Sequence, residues 1–127
     1  MSLGISLSLY NKINHLKTNV NIVRKHCDSN NDAFISVCCN DIKSHESIKD
    51  LKINNLDPGY HEIPGNTKLG KRIRIFNCIH TSLKNCEAEY LIHYHADAYA
   101  LSPNKILEII DEMKIKNAKV AFRGRGL

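Results

Sequence analysis

The sequence has no tryptophan, and its aromatic complement is five Tyr and three Phe. Proteins that read single-stranded nucleic acid by stacking bases on side chains need a richer aromatic surface, which argues against that class. The five cysteines, Cys27, Cys38, Cys39, Cys78 and Cys86, include no CxxC pair, so no zinc ribbon is signalled. Their number is odd, and neighbours such as Cys38 and Cys39 point to opposite faces of a strand. They read as reduced, mostly buried thiols, not as a disulfide framework. No apolar run approaches the roughly 20 residues that span a bilayer. The segment Met1 to Leu9 is short and lacks the basic leader of a secretory signal. The expectation from these absences is one cytoplasmic domain over residues 1–127, with no membrane span and no nucleic-acid partner.

What is present is ordinary in amount and informative in order. A chain of 127 residues with 43% apolar side chains can bury a core of its own. Eighteen Lys and Arg against thirteen Asp and Glu leave a formal charge of +5, which suits an anionic ligand, whether a nucleotide, a nucleic acid or a membrane surface. The same surplus also serves solubility alone.

Ile5 to Tyr10 is a half-alternating apolar run and reads as a first strand, followed by a turn at Asn11. Ile13, Leu16, Val20 and Val23 then recur at helical spacing up to about Cys27. The near-continuous apolar run Ala33 to Cys39 has the character of a central parallel strand, and Asn40-Asp41 ends it. A short helix or turn is expected over Ser47 to Ile53 and a third strand over Tyr60 to Ile63. Leu69 to Cys86 is the longest helical pattern, with Ile73, Phe76, Ile79, His80 and Leu83 on one stripe and Lys71, Arg72, Arg74 and Lys84 opposite. Tyr90 to Tyr94 reads as a fourth strand and Lys119 to Phe122 as a fifth. Between them Ser102 caps a helix that opens on Pro103.

Strands alternating with helices predict a three-layer α/β domain with a mostly parallel sheet of about five strands. Ligands of such sheets collect beyond the carboxyl ends of the strands. The polar residues that follow each strand, among them Asn11, Asn40, Asp41, His95 and Asp97, are therefore the first candidates for a site.

The stretch Pro64 to Leu107 carries a resemblance. Asn66 and Gly70 open a helix with Asn77 near its middle; Glu89-Tyr90-Leu91-Ile92 leads into His95-Ala96-Asp97, and Leu101-Ser102-Pro103 follows. This order resembles the central segment of family-2-type glycosyltransferases of the GT-A fold, and Ile5 to Asn11 is similar to that family's first strand with its Tyr-Asn end. The likeness implies the nucleotide-binding half of such an enzyme. It implies a nucleotide-diphospho-sugar, UDP-linked as the first expectation, with Tyr10, Asn11, Asn40 and Asp41 facing base and ribose. Lys71, Arg72 and Arg74 would neutralise phosphate, and His95 and Asp97 would hold manganese or magnesium.

Two departures bear on chemistry. His95 stands where the family's signature places its first carboxylate, so the hard oxygen ligand favoured by magnesium is replaced by an imidazole. The acceptor-binding half, with its catalytic base, would follow Leu127, so the resemblance implies binding more strongly than transfer. Transfer would then need a partner chain or a homodimer.

Other readings of the same residues stay open. A non-catalytic nucleotide-binding or interaction module would keep the scaffold and lose the chemistry. His93, His95 and Asp97 alternate on one strand and also resemble the metal motif of metallo-β-lactamase-type hydrolases, although Ala98 stands where that motif continues with His. Histidines held by backbone or water at a strand end are the plainest reading of all. The basic helical start and the tail cations Arg123 and Arg125 are explained equally by solvation.

Overall fold

The computed structural model describes residues 3–9, 11–27, 33–59, 62–96, 98 and 103–119. Eight elements follow one another: β1 (Leu3–Leu9), α1 (Ile13–Cys27), β2 (Ala33–Cys39), α2 (Ile42–Ser47), β3 (Asn55–Asp57), α3 (Lys68–Lys84), β4 (Tyr90–His95) and α4 (Pro103–Ile115). The strands form one sheet in the order β3-β2-β1-β4. Every pairing is parallel: Leu7 faces Val37 on one side and Tyr94 on the other, and Val37 faces Leu56. The α/β class and the parallel sheet are as expected, with four strands among the described residues.

Side chains alternate across a strand, and here the alternation divides the sheet sharply. Leu3, Ile5, Leu7 and Leu9 share one face with Ala33, Ile35, Val37 and Cys39. Leu16, Val20 and Val23 of α1 and Ile110 of α4 join them in the buried apolar core. The other face is polar and lies under α3, where Ser6 meets Ser82 at 2.7 Å. Helices thus cover both faces, which makes three layers.

Two expectations need correction. The third strand is Asn55–Asp57, not Tyr60 to Ile63; Glu62 and Ile63 lie in turn and bend, while Tyr60 and His61 fall outside the described residues. A half-buried edge strand of three residues needs only Leu56 to be apolar, so its pattern is faint. Of the helix or turn expected over Ser47 to Ile53, a turn is present at residues 48–50, but the helix lies upstream at Ile42–Ser47, because Asp41 caps it: its carboxylate accepts the Ser44 N–H at 2.7 Å. In α3, whose orientation the spacing leaves open, the stripe built on Ile73 and Phe76 turns away from the sheet, and Gly70, Cys78 and Ser82 are the buried residues. The fifth strand at Lys119 to Phe122, the Ser102 cap, Arg123 and Arg125 lie outside the described residues apart from Lys119, which is in no strand.

Two glycines are fixed by close approach. Gly70 sits in the first turn of α3, where Thr67 caps by accepting its N–H at 3.0 Å. A Cβ at Gly70 would lie 1.8 Å from the Pro64 carbonyl oxygen. Gly59 has φ +85° and would place a Cβ 1.5 Å from the Cys39 carbonyl oxygen, so only glycine lets the chain after β3 pass over the end of β2. No helix among the described residues is long and apolar enough to cross a membrane.

Candidate functional site

The strand order fixes where a ligand would sit. From β1 the chain builds outward through β2 and β3, and β4 then lies on the opposite side of β1. The direction of winding therefore reverses between β1 and β4, and a crevice opens beyond their carboxyl ends, the general ligand position of open parallel sheets. The structure has a cleft at this point, with a volume of about 300 Å³. Ser8 and Leu9 end β1 on it, Asn40 follows β2, His95 ends β4 with Ala96 after it, and Lys12, Ile75 and Cys78 complete the walls.

Each polar group of the cleft has a local reason for its place. Ser8 and His95 are register partners on neighbouring strands, and Ser8 Oγ lies 3.2 Å from His95 Nδ1. Asn40 is anchored by its backbone, its N–H donating to the Leu9 carbonyl at 2.7 Å. The residue is 9% exposed, and its Oδ1 has no hydrogen-bond partner among the described residues. A buried amide oxygen left free costs stability unless something donates to it, and this one belongs to a residue of the cleft. Asn11 adopts φ 54°, and its N–H donates to Ser44 Oγ at 3.3 Å. That left-handed turn brings the chain from β1 to Lys12 and α1. From the far side Asn19, fully buried in α1, holds the end of β4 by donating to the Ala96 and Ala98 carbonyls at 2.6 and 2.7 Å.

The basic residues of α3 take different positions. Lys71 precedes Ile75 by four residues and Cys78 by seven, so it shares the side of the helix from which those two line the cleft, one turn before Ile75. Arg72 is turned about 100° further round and joins the outer surface. Arg74 is half-buried, with its guanidinium against Gly65, where a Cβ would meet Nη1 at 2.7 Å. The Asp41 carboxylate holds α2, accepting both the Ser44 N–H and the Ser44 hydroxyl, the latter at 2.6 Å. Tyr10 and Asp97 lie outside the described residues.

Behind the cleft the polar face continues as a hydrogen-bonded floor. Ser82 Oγ donates to the Ile79 carbonyl at 3.0 Å, so the 2.7 Å contact with Ser6 uses the Ser6 proton. Ser6 Oγ then accepts from His93 Nδ1–H at 2.9 Å, and proton counting leaves His93 Nε2 as a bare acceptor. That atom is buried without a partner among the described residues. Burial, and next the neighbouring His95, hold the His93 imidazole below its usual pKa, so the ring is neutral at physiological pH. Further along, Asn55 Nδ2 donates to Ser36 Oγ at 3.1 Å and to Asp57 Oδ2 at 2.6 Å, and Asn85 Nδ2 reaches the same carboxylate at 3.2 Å.

The thiols fit the expectation of buried, reduced groups. Cys38, Cys39, Cys78 and Cys86 are free and buried. Burial pushes Cys39 up to about 12 and Cys86 up to about 11. The hydrogen bond with Cys78 pushes Cys38 up further still. Cys78 is drawn the other way, by that bond with Cys38 and by the Arg74 charge, against the effect of burial.

Among His, Cys, Asp and Glu, the described part of the cleft offers His95, whose Nδ1 is engaged with Ser8, and Cys78, whose thiol donates to the Cys39 carbonyl. No group of three His, Cys, Asp or Glu side chains converges anywhere among the described residues. His93 and His95 do project from one face, with ring centroids 6.0 Å apart at 80°, but their Nδ1 atoms go to separate serines. This described set does not amount to a metal centre. No protein-family model, curated protein or solved structure matches the chain.

Proposed function

We propose that the chain binds a nucleotide-diphospho-sugar, UDP-linked in the first instance, in the cleft beyond the carboxyl ends of β1, β2 and β4. The observation that supports this most is the coincidence of the cleft with the reversal of strand order between β1 and β4. A volume of about 300 Å³ is at the small end of ligand sites, and it suits one part of such a ligand. In this reading the free Asn40 oxygen accepts from base or ribose, with Asn11 beside it, and Tyr10, which lies outside the described residues, also serves the base. Lys12 and Lys71 meet the diphosphate from the two rims, as point charges that need no fixed geometry. Asp41 contributes by fixing α2 and Arg74 by its place under the helix start, while Arg72 has no direct contact with the ligand. Binding, not sugar transfer, is the activity these groups support, which makes the chain a glycosyltransferase-like binding domain.

Manganese or magnesium enters this reading only through Asp97, with His95 as neighbour, and the binding groups above do not depend on it. A thermal-shift screen of UDP-, GDP-, CDP- and dTDP-sugars, with and without manganese, tests both points. The expected result is a stabilisation of several degrees by one nucleotide class that Lys12→Glu removes. Stabilisation that requires manganese and disappears in Asp97→Ala restores the metal to the site. No stabilisation by any nucleotide sinks the reading.

A further inference from the structure

Helix α3 presents its apolar side chains to solvent. Leu69, Ile73 and Phe76 are 68, 40 and 67% exposed. They occur at i, i+4 and i+7 and therefore form one line about 10 Å long on the side away from the sheet. The Phe76 ring stacks on His80 with centroids 6.4 Å apart and planes 6° from parallel, which carries the line one turn further. The helix cannot roll to hide this crest. Rolling would break the contact of Ser82 with Ser6 and lift Gly70 from the Pro64 carbonyl, where no Cβ fits. The fold thus holds an apolar ridge in the open, and contiguous exposed apolar surface marks an interaction site.

The charges beside the ridge say what it meets. The 17 residues of α3 include no Asp or Glu. Arg72 lies about 60° to one side of the line through Leu69 and Lys84 about 60° to the other, with Lys68 beyond Arg72. All three are exposed, and none forms an ion pair among the described residues. A second copy of this chain docking ridge to ridge would set cation against cation with no carboxylate on either helix. A protein partner would need a groove, because the ridge is convex. A bilayer surface offers an apolar boundary under a layer of phosphates, which a convex apolar crest with flanking Lys and Arg can enter in the plane of the interface.

We propose that α3 docks the protein onto an anionic phospholipid surface, with Leu69, Ile73 and Phe76 entering the headgroup boundary and Lys68, Arg72 and Lys84 held by lipid phosphates. The site is independent of what the cleft binds: its apolar residues are not those that line the cleft.

Sedimentation of the full chain with vesicles tests this, using phosphatidylcholine alone and phosphatidylcholine mixed with phosphatidylserine. Binding to the mixed vesicles is expected to exceed binding to the neutral ones at least about tenfold and to weaken as salt is raised. Arg72→Gln with Lys84→Gln should cost about tenfold or more, and Leu69→Ser with Phe76→Ser a similar factor. All four substitutions are at exposed positions, and unchanged thermal unfolding confirms that the variants fold. Because the sequence lacks tryptophan, Phe76→Trp installs a single indole at the crest. Its emission should shift to the blue with phosphatidylserine vesicles and stay put with neutral ones. Equal binding to both vesicle types overturns the proposal. So does an indole that does not shift, or a serine variant that binds as well as the parent. A ridge that proves to be occupied by an acidic protein or by a second copy, with no vesicle binding, overturns it as well.

Discussion

The two faces of the sheet use the same strands for opposite ends. On the face under α1 and α4, Leu7, Ile35 and Val37 are fully buried among Leu16, Val20 and Ile110. On the face under α3, the residues interleaved with them are Ser6, Ser8, Ser36, Cys38, His93 and His95: Ser6 bonds Ser82 and His93, Ser8 bonds His95, and Ser36 accepts from Asn55. The first face supplies stability, because burial of apolar area is the dominant favourable contribution to folding. The second keeps donors and acceptors inside the protein, and its end at Ser8 and His95 becomes the wall of the cleft. A sheet apolar on both faces would bury more area and have nothing to offer a polar ligand. The division of labour is a two-residue alternation read in opposite directions.

The largest effect expected from this contrast is on the apolar face. Leu7 has no exposed surface, and its neighbours on both strands are fixed by register. Leu7→Ala removes buried methyl groups and leaves a cavity that a close-packed sheet cannot collapse, at a cost of about 3 kcal/mol. Urea unfolding measures it. A loss below about 1 kcal/mol would mean that the apolar face is not the main source of stability.

A smaller effect is expected one residue away. Ser6→Ala leaves the strand and its apolar neighbours intact but removes the link between Ser82 and His93. Net contributions of such hydrogen bonds are about 1 kcal/mol. The informative quantity is the coupling with Ser82→Ala in a double-mutant cycle, which should be on the order of 0.5 kcal/mol or more. Strict additivity would show that the two hydroxyls do not act as a pair.

The same contrast explains how far the sequence could be read. Strands β1, β2 and β4 and helices α1 and α4 announce themselves by apolar runs and spacing, and they lie where that reading puts them to within a few residues. Helix α3 announces its length but not its orientation. Periodicity shows that Leu69, Ile73 and Phe76 share a side, whereas which side meets the sheet depends on what the sheet presents. It presents Ser6, Ser36 and His93, and so selects Gly70, Cys78 and Ser82. Strand β3 is faint because Asn55 and Asp57 bond within a polar network instead of packing. In the cleft, Asn40 and His95 were legible as polar residues directly after or at the end of strands. Ser8, Lys12, Ile75 and Cys78 were not, because only the β1–β4 register and the docking of α3 bring them together.

The smallest effect, and the most specific to the polar face, is a dependence on pH. Burial, then His95, lowers the pKa of His93 in the folded protein, while the unfolded chain titrates that ring near about 6.5. Between the two values the unfolded state binds the proton that the folded state refuses. Stability is therefore fully present above about pH 6.5, falls as the pH drops towards the folded value, and levels off below it. The structural reason is local: an added proton would sit on Nε2, an atom buried without an acceptor in reach among the described residues. His93→Gln removes the titration while keeping a polar side chain. Urea unfolding of the two proteins across this range should show the parent losing more stability than the variant as the pH falls. Parallel losses would place His93 in water and break the distinction between an interior polar face and an ordinary wet one.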